Sequence, residues 1–310
     1  MIYTVTLNPA VDKTVEIEGL VTGGVNRTVS ERSDAGGKGV NVSRVIKALG
    51  GESVALGVIG GSTGDFIERS LNAAGIDTAF TRVSAETRVN LKIIDTLNGV
   101  NTDVNERGAA VSAETLKSVE DELRSRLAKG DCVVLAGSVP RGAPVDIYAR
   151  LIRLVNSFEA TAVLDADGPL LTEGLKAKPF LIKPNIDELS RITGKKLVTA
   201  LDCAREGVKL CRQSADRAIV SLGGDGAVFC TAAGAYHAHG VKVPVRSTVG
   251  AGDSMVAAVC LALQRGYGEG ETISLAVAAS AASVTVGGTE PAELTLVQEL
   301  ENKVSWEKIL

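Results

Sequence analysis

The sequence is poor in the residues that most often build metal and redox sites. It contains only two histidines, His237 and His239, and its five cysteines show no Cys-x-x-Cys spacing. The His-x-His spacing could bring both rings to one side of a strand, but no third ligand is clustered with them in the sequence. We expect both histidines on the surface or in a loop. The cysteines lie mostly within apolar runs, which predicts buried free thiols rather than disulfides or a zinc site.

Basic segments and long apolar segments are also missing. The net charge is −4 and no Lys/Arg run occurs, so the patterns typical of proteins that bind nucleic acids or anionic membranes are absent. No apolar stretch reaches transmembrane length without charges or glycines, and the N-terminus lacks the basic flank of a signal peptide. We therefore expect a cytoplasmic protein with no nucleic-acid or membrane partner, which binds any anionic ligand through local groups.

Strand-like runs alternate with helical patterns along most of the chain. Strands are predicted at Ile2–Leu7, Ser53–Ile59, Cys132–Ala136, Ala162–Asp165, Phe180–Lys183 and Ala218–Leu222. Apolar residues recur at helical spacing over Val42–Leu49 and Ile67–Ala74, and glycines follow both segments. This alternation predicts an α/β fold with a doubly wound, mostly parallel sheet flanked by helices.

Two stretches do not fit the alternation, Lys13–Arg32 and Arg88–Val104. Both resemble antiparallel strands outside the main sheet. A small β-sheet over the carboxyl ends of the parallel strands would act as a lid that shields a reaction from water, and the alternative is a β extension without function. Because no linker or internal repeat is visible, we expect one domain over residues 1–310 with this lid.

A glycine-rich turn precedes a small-residue apolar helix at Met255–Leu263. The turn reads Gly250-Ala251-Gly252-Asp253. Its glycines let backbone N–H groups approach a phosphate, and the helix N-terminus adds partial positive charge. Asp253 can take a proton from an incoming hydroxyl. The pattern indicates phosphoryl transfer, although a Gly-x-Gly sequence before a helix is also found in simple tight turns.

A second glycine-rich loop, Asp34–Asn41, leads into the first amphipathic helix. Its glycines allow close approach by a ligand with several oxygens, and Lys38 and Asn41 supply donors. It is not a Walker A loop, because Gly39 stands where Ser or Thr should hold magnesium. The chain also lacks Gly-x-Gly-x-x-Gly after a strand, which weakens the case for a dinucleotide-dependent dehydrogenase.

Loops after later strands each have two interpretations. Asn185 and Glu188 could reach one metal ion or its water shell, or could form an N-cap and a capping box. The turn Ser221–Gly226 could hold a nucleotide or could turn a hairpin into Ala227–Cys230. Ser138 offers a hydroxyl group in a loop at another strand end. These loops do not by themselves define a site.

Taken in order, the motifs resemble those of the ribokinase-like (PfkB) carbohydrate kinases over essentially the whole chain. They are Asn8-Pro9-Ala10-Val11-Asp12, Gly36-Gly37-Lys38-Gly39-Val40-Asn41, Gly137-Ser138-Val139-Pro140, Lys183-Pro184-Asn185-Ile186-Asp187-Glu188 and Gly250-Ala251-Gly252-Asp253. The opening from Thr4 and the segment Thr87–Asn90 are most similar to the hexose-phosphate branch of the family. The resemblance implies ATP- and Mg²⁺-dependent transfer to a phosphorylated ketohexose. Fructose 1-phosphate is the expected acceptor, and tagatose 6-phosphate and fructose 6-phosphate are the alternatives.

The resemblance also implies roles for single positions. Asp253 matches the catalytic base, with Gly250, Ala251 and Gly252 as the anion hole. The sugar-phosphate positions are Asp12, Gly37, Lys38, Asn41, Arg88 and Ser138, and Arg88 would grip the sugar's own phosphate. The nucleotide positions are Lys183, Asn185, Ser221, Gly223, Gly226 and Thr248. Glu188 would act on Mg²⁺ through water, and carbonyls of Ser247, Val249, Gly287 and Gly288 could surround K⁺.

Two positions depart from the family pattern. Ala109 stands where many relatives have proline, and Asp167 stands where several have serine, so both bear on the choice of sugar phosphate. A sugar-phosphate-binding regulator without catalysis is an alternative function, but the intact Asp253 argues against it. The exposed edges of the predicted lid need partners, so we expect the lids of two chains to pair in a homodimer.

Overall fold

The computed structural model describes residues 1–310 as two β-sheets surrounded by helices. The strands are β1 (Ile2–Thr6), β2 (Ala10–Ile17), β3 (Thr28–Gly36), β4 (Val54–Gly60), β5 (Asp77–Val83), β6 (Arg88–Asp95), β7 (Val100–Asn105), β8 (Cys132–Ala136), β9 (Thr161–Asp165), β10 (Leu181–Ile182), β11 (Arg217–Ser221), β12 (Ala227–Thr231), β13 (Gly234–Ala238) and β14 (Trp306–Lys308). The helices are α1 (Lys38–Ala48), α2 (Gly61–Ala73), α3 (Ala113–Arg126), α4 (Ile147–Ser157), α5 (Gly168–Leu175), α6 (Ile186–Thr193), α7 (Ala200–Gln213), α8 (Ala251–Arg265), α9 (Glu269–Ser283) and α10 (Leu294–Glu301), with a 3₁₀ turn at Gly223–Asp225. None of the helices is long and apolar enough to cross a membrane.

The larger sheet has ten strands in the order β14-β13-β12-β11-β10-β9-β8-β1-β4-β5. The strands from β11 to β5 in this order are parallel, and β12, β13 and β14 extend the sheet as antiparallel strands. Successive side chains of a strand point to opposite faces, so Ile2 packs with α1, α8 and α9 while Tyr3 and Val5 pack with α3 and α4. The carboxyl ends of β10, β9, β8 and β1 therefore lie side by side between two helical layers.

The smaller sheet, which we call the lid, has the strand order β3-β2-β6-β7. The β2–β3 and β6–β7 pairs are antiparallel, as predicted, but β2 and β6 pair in parallel, with Ala10 opposite Arg88. The expectation of a wholly antiparallel lid is thus wrong at its centre. Both strands leave the same edge of the main sheet, after β1 and after β5, so they enter the lid in the same direction.

For single elements and residues the structure departs from some sequence predictions and confirms others. The helix predicted from Met255 begins earlier, at Ala251, which brings Asp253 into its first turn. The five cysteines are free and buried, as predicted. His237 lies in β13, and Glu307 of β14 provides the third potential ligand that the sequence did not reveal, because β14 pairs with β13 only in the folded chain.

Candidate active site

The turn before α8 leaves backbone amides open at the helix N-terminus. Gly250 has a left-handed backbone, with φ of 84°, which glycine adopts without a steric penalty. No side chain caps the helix, so the N–H groups of its first turn have no side-chain acceptor. Together with the helix dipole, these groups suit an anion. Gly250, Ala251 and Gly252 thus form the turn that the sequence predicted as an anion hole.

Asp253 follows these glycines and is buried, with 6% of its surface exposed. Asn41 of α1 donates a hydrogen bond of 2.8 Å from Nδ2 to Asp253 Oδ2. Burial and then the negative charge of Asp165 raise the pKa of Asp253 to about 6, while the hydrogen bond from Asn41 and two lysines act in the opposite direction. The carboxylate is therefore mostly ionised at neutral pH and basic enough to accept a proton.

A second buried carboxylate, Asp165, holds two lysines beside this turn. Asp165 ends β9, and its Oδ1 lies 3.0 Å from Lys38 Nζ while its Oδ2 lies 3.5 Å from Lys183 Nζ. The Lys183 amine lies against Gly252, where an added Cβ would be 3.0 Å from Nζ. Glycine at this position therefore leaves room for an ammonium group next to the open amides of α8.

The charges in this cluster fix one another's ionisation states. Burial would raise the pKa of Asp165, but the charges of Lys183 and Lys38 outweigh burial and hold it below its ordinary value. Burial would lower the pKa of Lys38, but Asp165 and Asp253 outweigh it and raise that pKa. Asp165 is consequently a carboxylate and Lys38 an ammonium at neutral pH. Positive charge is thus available beside the proton acceptor.

Asn185 and Glu188 form a capping box at the start of α6. Asn185 Oδ1 accepts a hydrogen bond of 2.8 Å from Glu188 N, and Glu188 Oε2 accepts one of 2.9 Å from Asn185 N. The capping interpretation of these residues is therefore confirmed, and their roles toward Mg²⁺ and the nucleotide stay predictions. Glu188 Oε1 makes no hydrogen bond within the chain, and the charge of Glu188 acts on Lys38. A carboxylate oxygen without a hydrogen bond is the type of ligand that hydrated Mg²⁺ prefers.

The 3₁₀ turn Gly223–Asp225 lies beside this capping box. Asn185 and Ser221 pair in an isolated bridge, because β10 and β11 are neighbours in the sheet. Gly223 and Gly226 have positive φ of 62° and 95°, and the chain then returns as β12, so the predicted hairpin is present. The residues predicted to bind the nucleotide in these two loops therefore share one edge of the sheet, where ligands of open α/β sheets gather.

A polar cavity separates the inner face of the lid from the loops around α8. Its lining includes Asp12, Thr14, Asp34, Asn90, Lys92, Asp103 and Asn105 from the lid, and Val249, Gly288 and Thr289 opposite them. Asp12 Oδ1 accepts a hydrogen bond of 2.9 Å from Asn90 Nδ2. Burial raises the pKa of Asp12, although this hydrogen bond lowers it. Carboxylates and amides of this kind are suited to the hydroxyl groups of a sugar.

Arg88 starts β6 at the base of the lid. Its Nε donates to the carbonyl of Asn8 at 3.2 Å, and its Nη1 donates to the carbonyl of Glu106 at 3.0 Å. Burial lowers the pKa of Arg88, while the charges of Asp12 and Glu106 oppose this. Arg88 does not line the polar cavity described above. Its guanidinium group has five N–H donors, so donors remain for an anion, and its contact with a sugar phosphate stays a prediction.

Gly37 precedes Lys38, and the loop that contains Ser138 comes near Lys38 at Gly137, where an added Cβ would lie 3.7 Å from Lys38 Cβ. Gly37 has φ of 110°, and a Cβ there would lie 2.9 Å from Thr6 Cγ2. Asn8 Nδ2 donates to Ser138 Oγ at 3.3 Å. The Ser138 loop is held by the buried Tyr148, whose single hydroxyl hydrogen is shared between the carbonyl oxygens of Ala136 and Gly137, at 3.1 and 3.0 Å. Close packing at Gly37 and these hydrogen bonds hold the N-terminus of α1 in place.

The carbonyls predicted to surround K⁺ lie near Arg32 of the lid. Arg32 Nη2 donates to the carbonyl of Gly287 at 3.4 Å, and Nη1 lies 2.6 Å from Glu290 Oε1. In the preceding turn, Val249 N donates to Ser247 Oγ at 3.2 Å. Thr248 is exposed. A guanidinium cation thus already contacts one of these carbonyls, and the K⁺ role of the group stays a prediction.

The sequence prediction missed Asp165 and most of the polar face of the lid. Asp165 ends a parallel strand, where ligands gather, and this position was the available signal. Along β6, Asn90 and Lys92 alternate with Val89 and Leu91. This alternation identified the strand. Its polar face was not recognised as the wall of a cavity, because the residues that form the opposite wall lie far along the chain.

A protein family and several known proteins match the chain over most of its length. Residues 5–295 match the model of the pfkB family carbohydrate kinases. The chain is 38% identical over 283 residues to the 1-phosphofructokinase of Bacillus subtilis strain 168, covering 91% of this chain and 92% of the relative. It is 39% identical over 281 residues to the 1-phosphofructokinase of Rhodobacter capsulatus, covering 90% and 89%.

Solved structures share the fold. The phosphofructokinase-2 of Escherichia coli, in complex with potassium, superposes with a TM-score of 0.92 at 28% identity, covering 97% of this chain and 98% of that one. The ribokinase of Thermotoga maritima superposes with a TM-score of 0.81 at 20% identity, covering 97% and 99%, and shows the ribokinase-like fold alone. The predicted fold class is thereby confirmed.

Proposed function

The chain belongs to the pfkB family of carbohydrate kinases, and from this premise we propose that it transfers the γ-phosphoryl group of ATP to fructose 1-phosphate, giving fructose 1,6-bisphosphate. The observation that carries the activity is Asp253, a buried carboxylate with a pKa of about 6 beside the open amides of a helix N-terminus. The names of relatives at 38% and 39% identity support the acceptor.

The chemical step follows from the groups around Asp253. The free terminal hydroxyl of the sugar attacks the γ-phosphorus, the bond from that phosphorus to the bridging oxygen breaks, and ADP leaves. Asp253 orients the hydroxyl and receives its proton late in the transfer. The amides of Gly250–Gly252 and the ammonium groups of Lys38 and Lys183 stabilise negative charge on the transferred group. Asp165 keeps both lysines in place.

The cofactors of the reaction are ATP and Mg²⁺. When Mg²⁺ is bound, it neutralises part of the negative charge of the phosphate groups. We propose that Glu188 holds it through water, that Lys183, Asn185, Ser221, Gly223, Gly226 and Thr248 contact the nucleotide, and that carbonyls of Ser247, Val249, Gly287 and Gly288 take K⁺. The potassium complex of the E. coli relative supports the last assignment.

The charge of the lid cavity indicates that the hydroxyl groups and the phosphate of the sugar bind in different places. Three carboxylates, Asp12, Asp34 and Asp103, and one ammonium, Lys92, line the cavity. Such a wall accepts hydrogen bonds from sugar hydroxyls and repels a phosphate dianion. The sugar's own phosphate must therefore bind outside this wall, and we assign it to Arg88 at the base of the lid.

We further propose that residues 1–310 act as one domain whose lid includes the predicted segments 13–32 and 88–104. The strands of the lid extend beyond these segments to Ala10, Gly36 and Asn105. The outer lid strand β7 is exposed along its whole length, and β3 is exposed from Thr28 to Ser33. Both edges of the lid are therefore open to strand pairing. We propose that two chains pair there to form a homodimer. The cytoplasmic location stays a prediction.

A coupled assay of ADP release with a panel of sugars tests the function. We expect turnover with fructose 1-phosphate, much less with unphosphorylated fructose, and dependence on Mg²⁺. The Asp253→Asn protein, purified in the same way, controls for contaminating kinases. Preference for fructose 6-phosphate or tagatose 6-phosphate would show that the proposed acceptor is wrong. Binding of a sugar phosphate without turnover would favour a non-catalytic regulator.

A further inference from the structure

Two histidines and a glutamate meet on the edge of the main sheet, away from the cluster around Asp253. One ring nitrogen each of His237 and His239 and a carboxylate oxygen of Glu307 all lie within 4.8 Å of one another. We infer that these three side chains form a binding site for a divalent transition-metal ion of the Zn²⁺ class. This inference goes beyond the kinase reaction and does not depend on it.

The strand register explains why the three side chains converge. His237 and His239 are two residues apart, so their side chains leave the strand on the same face. Glu307 of β14 lies directly opposite His237, and His239 N donates to the carbonyl of Ser305 at 2.9 Å, which extends the pairing. Side chains of opposed residues lie within contact range across an antiparallel pair. The backbone ladder therefore positions the three ligands.

The opposite face of the same strands is anchored by aromatic packing. Tyr236 and Trp306 stack edge to face with ring centroids 5.4 Å apart. Trp306 also packs on α9, where a Cβ on Gly270 would lie 2.8 Å from the indole ring. Both strands are thus tied to the body of the protein, and ligands on rigid elements form a better-defined metal site than ligands on loops.

One of the ligand–ligand distances matches that of a tetrahedral zinc site. With Zn–N and Zn–O bonds of about 2.0–2.2 Å, two ligand atoms on one ion lie about 3.4 Å apart. His239 Nε2 and Glu307 Oε1 are 3.5 Å apart. The ligand atom of His237 lies within 4.8 Å of the other two, so it must approach them by up to about 1.4 Å to share the ion. Two histidines and one carboxylate leave a fourth position for water.

The arrangement of the histidines favours one cation shared between them. Their ring centroids are 4.5 Å apart, so one ion between the rings can reach a nitrogen of each. His237 Nε2 is 3.1 Å from the carbonyl oxygen of Asp225. A metal-binding histidine usually donates its second N–H to such an acceptor, which fixes the tautomer. When Nε2 donates here, Nδ1 is available as a ligand.

Competing sites for a soft divalent ion are weak elsewhere in the chain. All five cysteines are buried, and burial raises the pKa of Cys211 to about 12, so the reactive thiolate is scarce. The carboxylates near Asp253 prefer Mg²⁺ as hard oxygen ligands. Excess Mg²⁺ therefore isolates the histidine site in a binding measurement.

Titration calorimetry of the metal-free protein with Zn²⁺, in excess Mg²⁺, tests the site. The variants are His239→Gln and Glu307→Gln, and the matched control is Lys308→Gln on the same strand, since Lys308 points to the opposite face. We expect one equivalent of Zn²⁺ to bind to the wild type and to the control. Loss of one ligand should weaken binding at least about tenfold, because changes even in outer partners of metal ligands cost about 10–100-fold.

Two further measurements report on the same ion. Co²⁺ should give visible absorption typical of tetrahedral coordination in the wild type, and hydrogen exchange at Trp306–Lys308 should slow when Zn²⁺ ties β14 to β13. Absence of saturable Zn²⁺ binding would reduce the cluster to a surface ion pair between His239 and Glu307. Full affinity in either ligand variant, or equal loss in Lys308→Gln, would also overturn the proposal.

Discussion

Replacement of Asp253 by asparagine should make the protein slower and more stable at the same time. The amide cannot accept the proton of the sugar hydroxyl, so we expect kcat to fall by about 10²- to 10⁴-fold. The shape of the side chain is kept, and the asparagine oxygen can still accept the hydrogen bond that Asn41 donates to Asp253 at 2.8 Å. The fold should therefore survive the change.

The gain in stability follows from the pKa of Asp253. Its ordinary value is 3.8, and burial beside Asp165 raises it to about 6 in the folded state. A shift of about 2 units at 1.36 kcal/mol per unit corresponds to about 3 kcal/mol in favour of the neutral side chain. That stabilisation is fully present below the unfolded pKa and is lost as pH rises through 6. Asparagine stays neutral and retains it at every pH.

Denaturant unfolding from pH 5 to pH 8 measures this effect. The free energy of unfolding of Asp253→Asn should exceed that of the wild type by up to about 3 kcal/mol above pH 7, and the difference should shrink as pH falls below 6. Asp216→Asn changes an exposed aspartate by the same chemistry and should show no such pH-dependent gain. Equal stability of Asp253→Asn and wild type at pH 8, or near-normal turnover, would refute the reasoning.

Three other outcomes are expected. The turnover of the wild type should fall about tenfold per pH unit below pH 6, because only ionised Asp253 accepts the proton, and a pH–rate profile measures this. Arg88→Ala should raise KM for the sugar phosphate far more than KM for ATP, by a loss of about 2–4 kcal/mol, whereas equal effects in steady-state kinetics would contradict its role. Hydrogen exchange in segments 13–32 and 88–104 should slow when the sugar phosphate binds. A fully active monomer in sedimentation would argue against pairing of lids.

The parallel strands could be predicted from the sequence because they are buried on both faces. Cys132–Ala136 is apolar throughout and was predicted with its observed bounds. The edge strand β5 was missed because its residues are only partly buried, so its apolar pattern is weak. Strand β14 was missed because it has three exposed residues. Edge strands form because they pair with a neighbouring strand, and the local sequence pattern does not show which segment that neighbour is.

The site could be predicted only where its residues share a short motif. The turn around Asp253 combines glycines, a carboxylate and a helix start in consecutive positions. Asp165 has no such signal, since its importance comes from the lysines at positions 38 and 183, which reach it from other loops. Glu188 belongs to a motif that the sequence did reveal, but the same residues explain both a helix cap and a predicted role in metal binding.

Because the lid is a separate sheet, substitutions in the lid and substitutions in the main body of the protein should differ in how much they affect stability. Residues 253–262 of α8 are all buried, so almost any change there disturbs the core as well as the reaction. The side chains of β7 are exposed along its length. Pairing between two lids would use the backbone groups of the strand, so replacement of these side chains should usually change stability by no more than about 0.5 kcal/mol. New acceptor preferences can therefore evolve in the lid by single neutral steps, while the phosphoryl-transfer machinery is inherited unchanged.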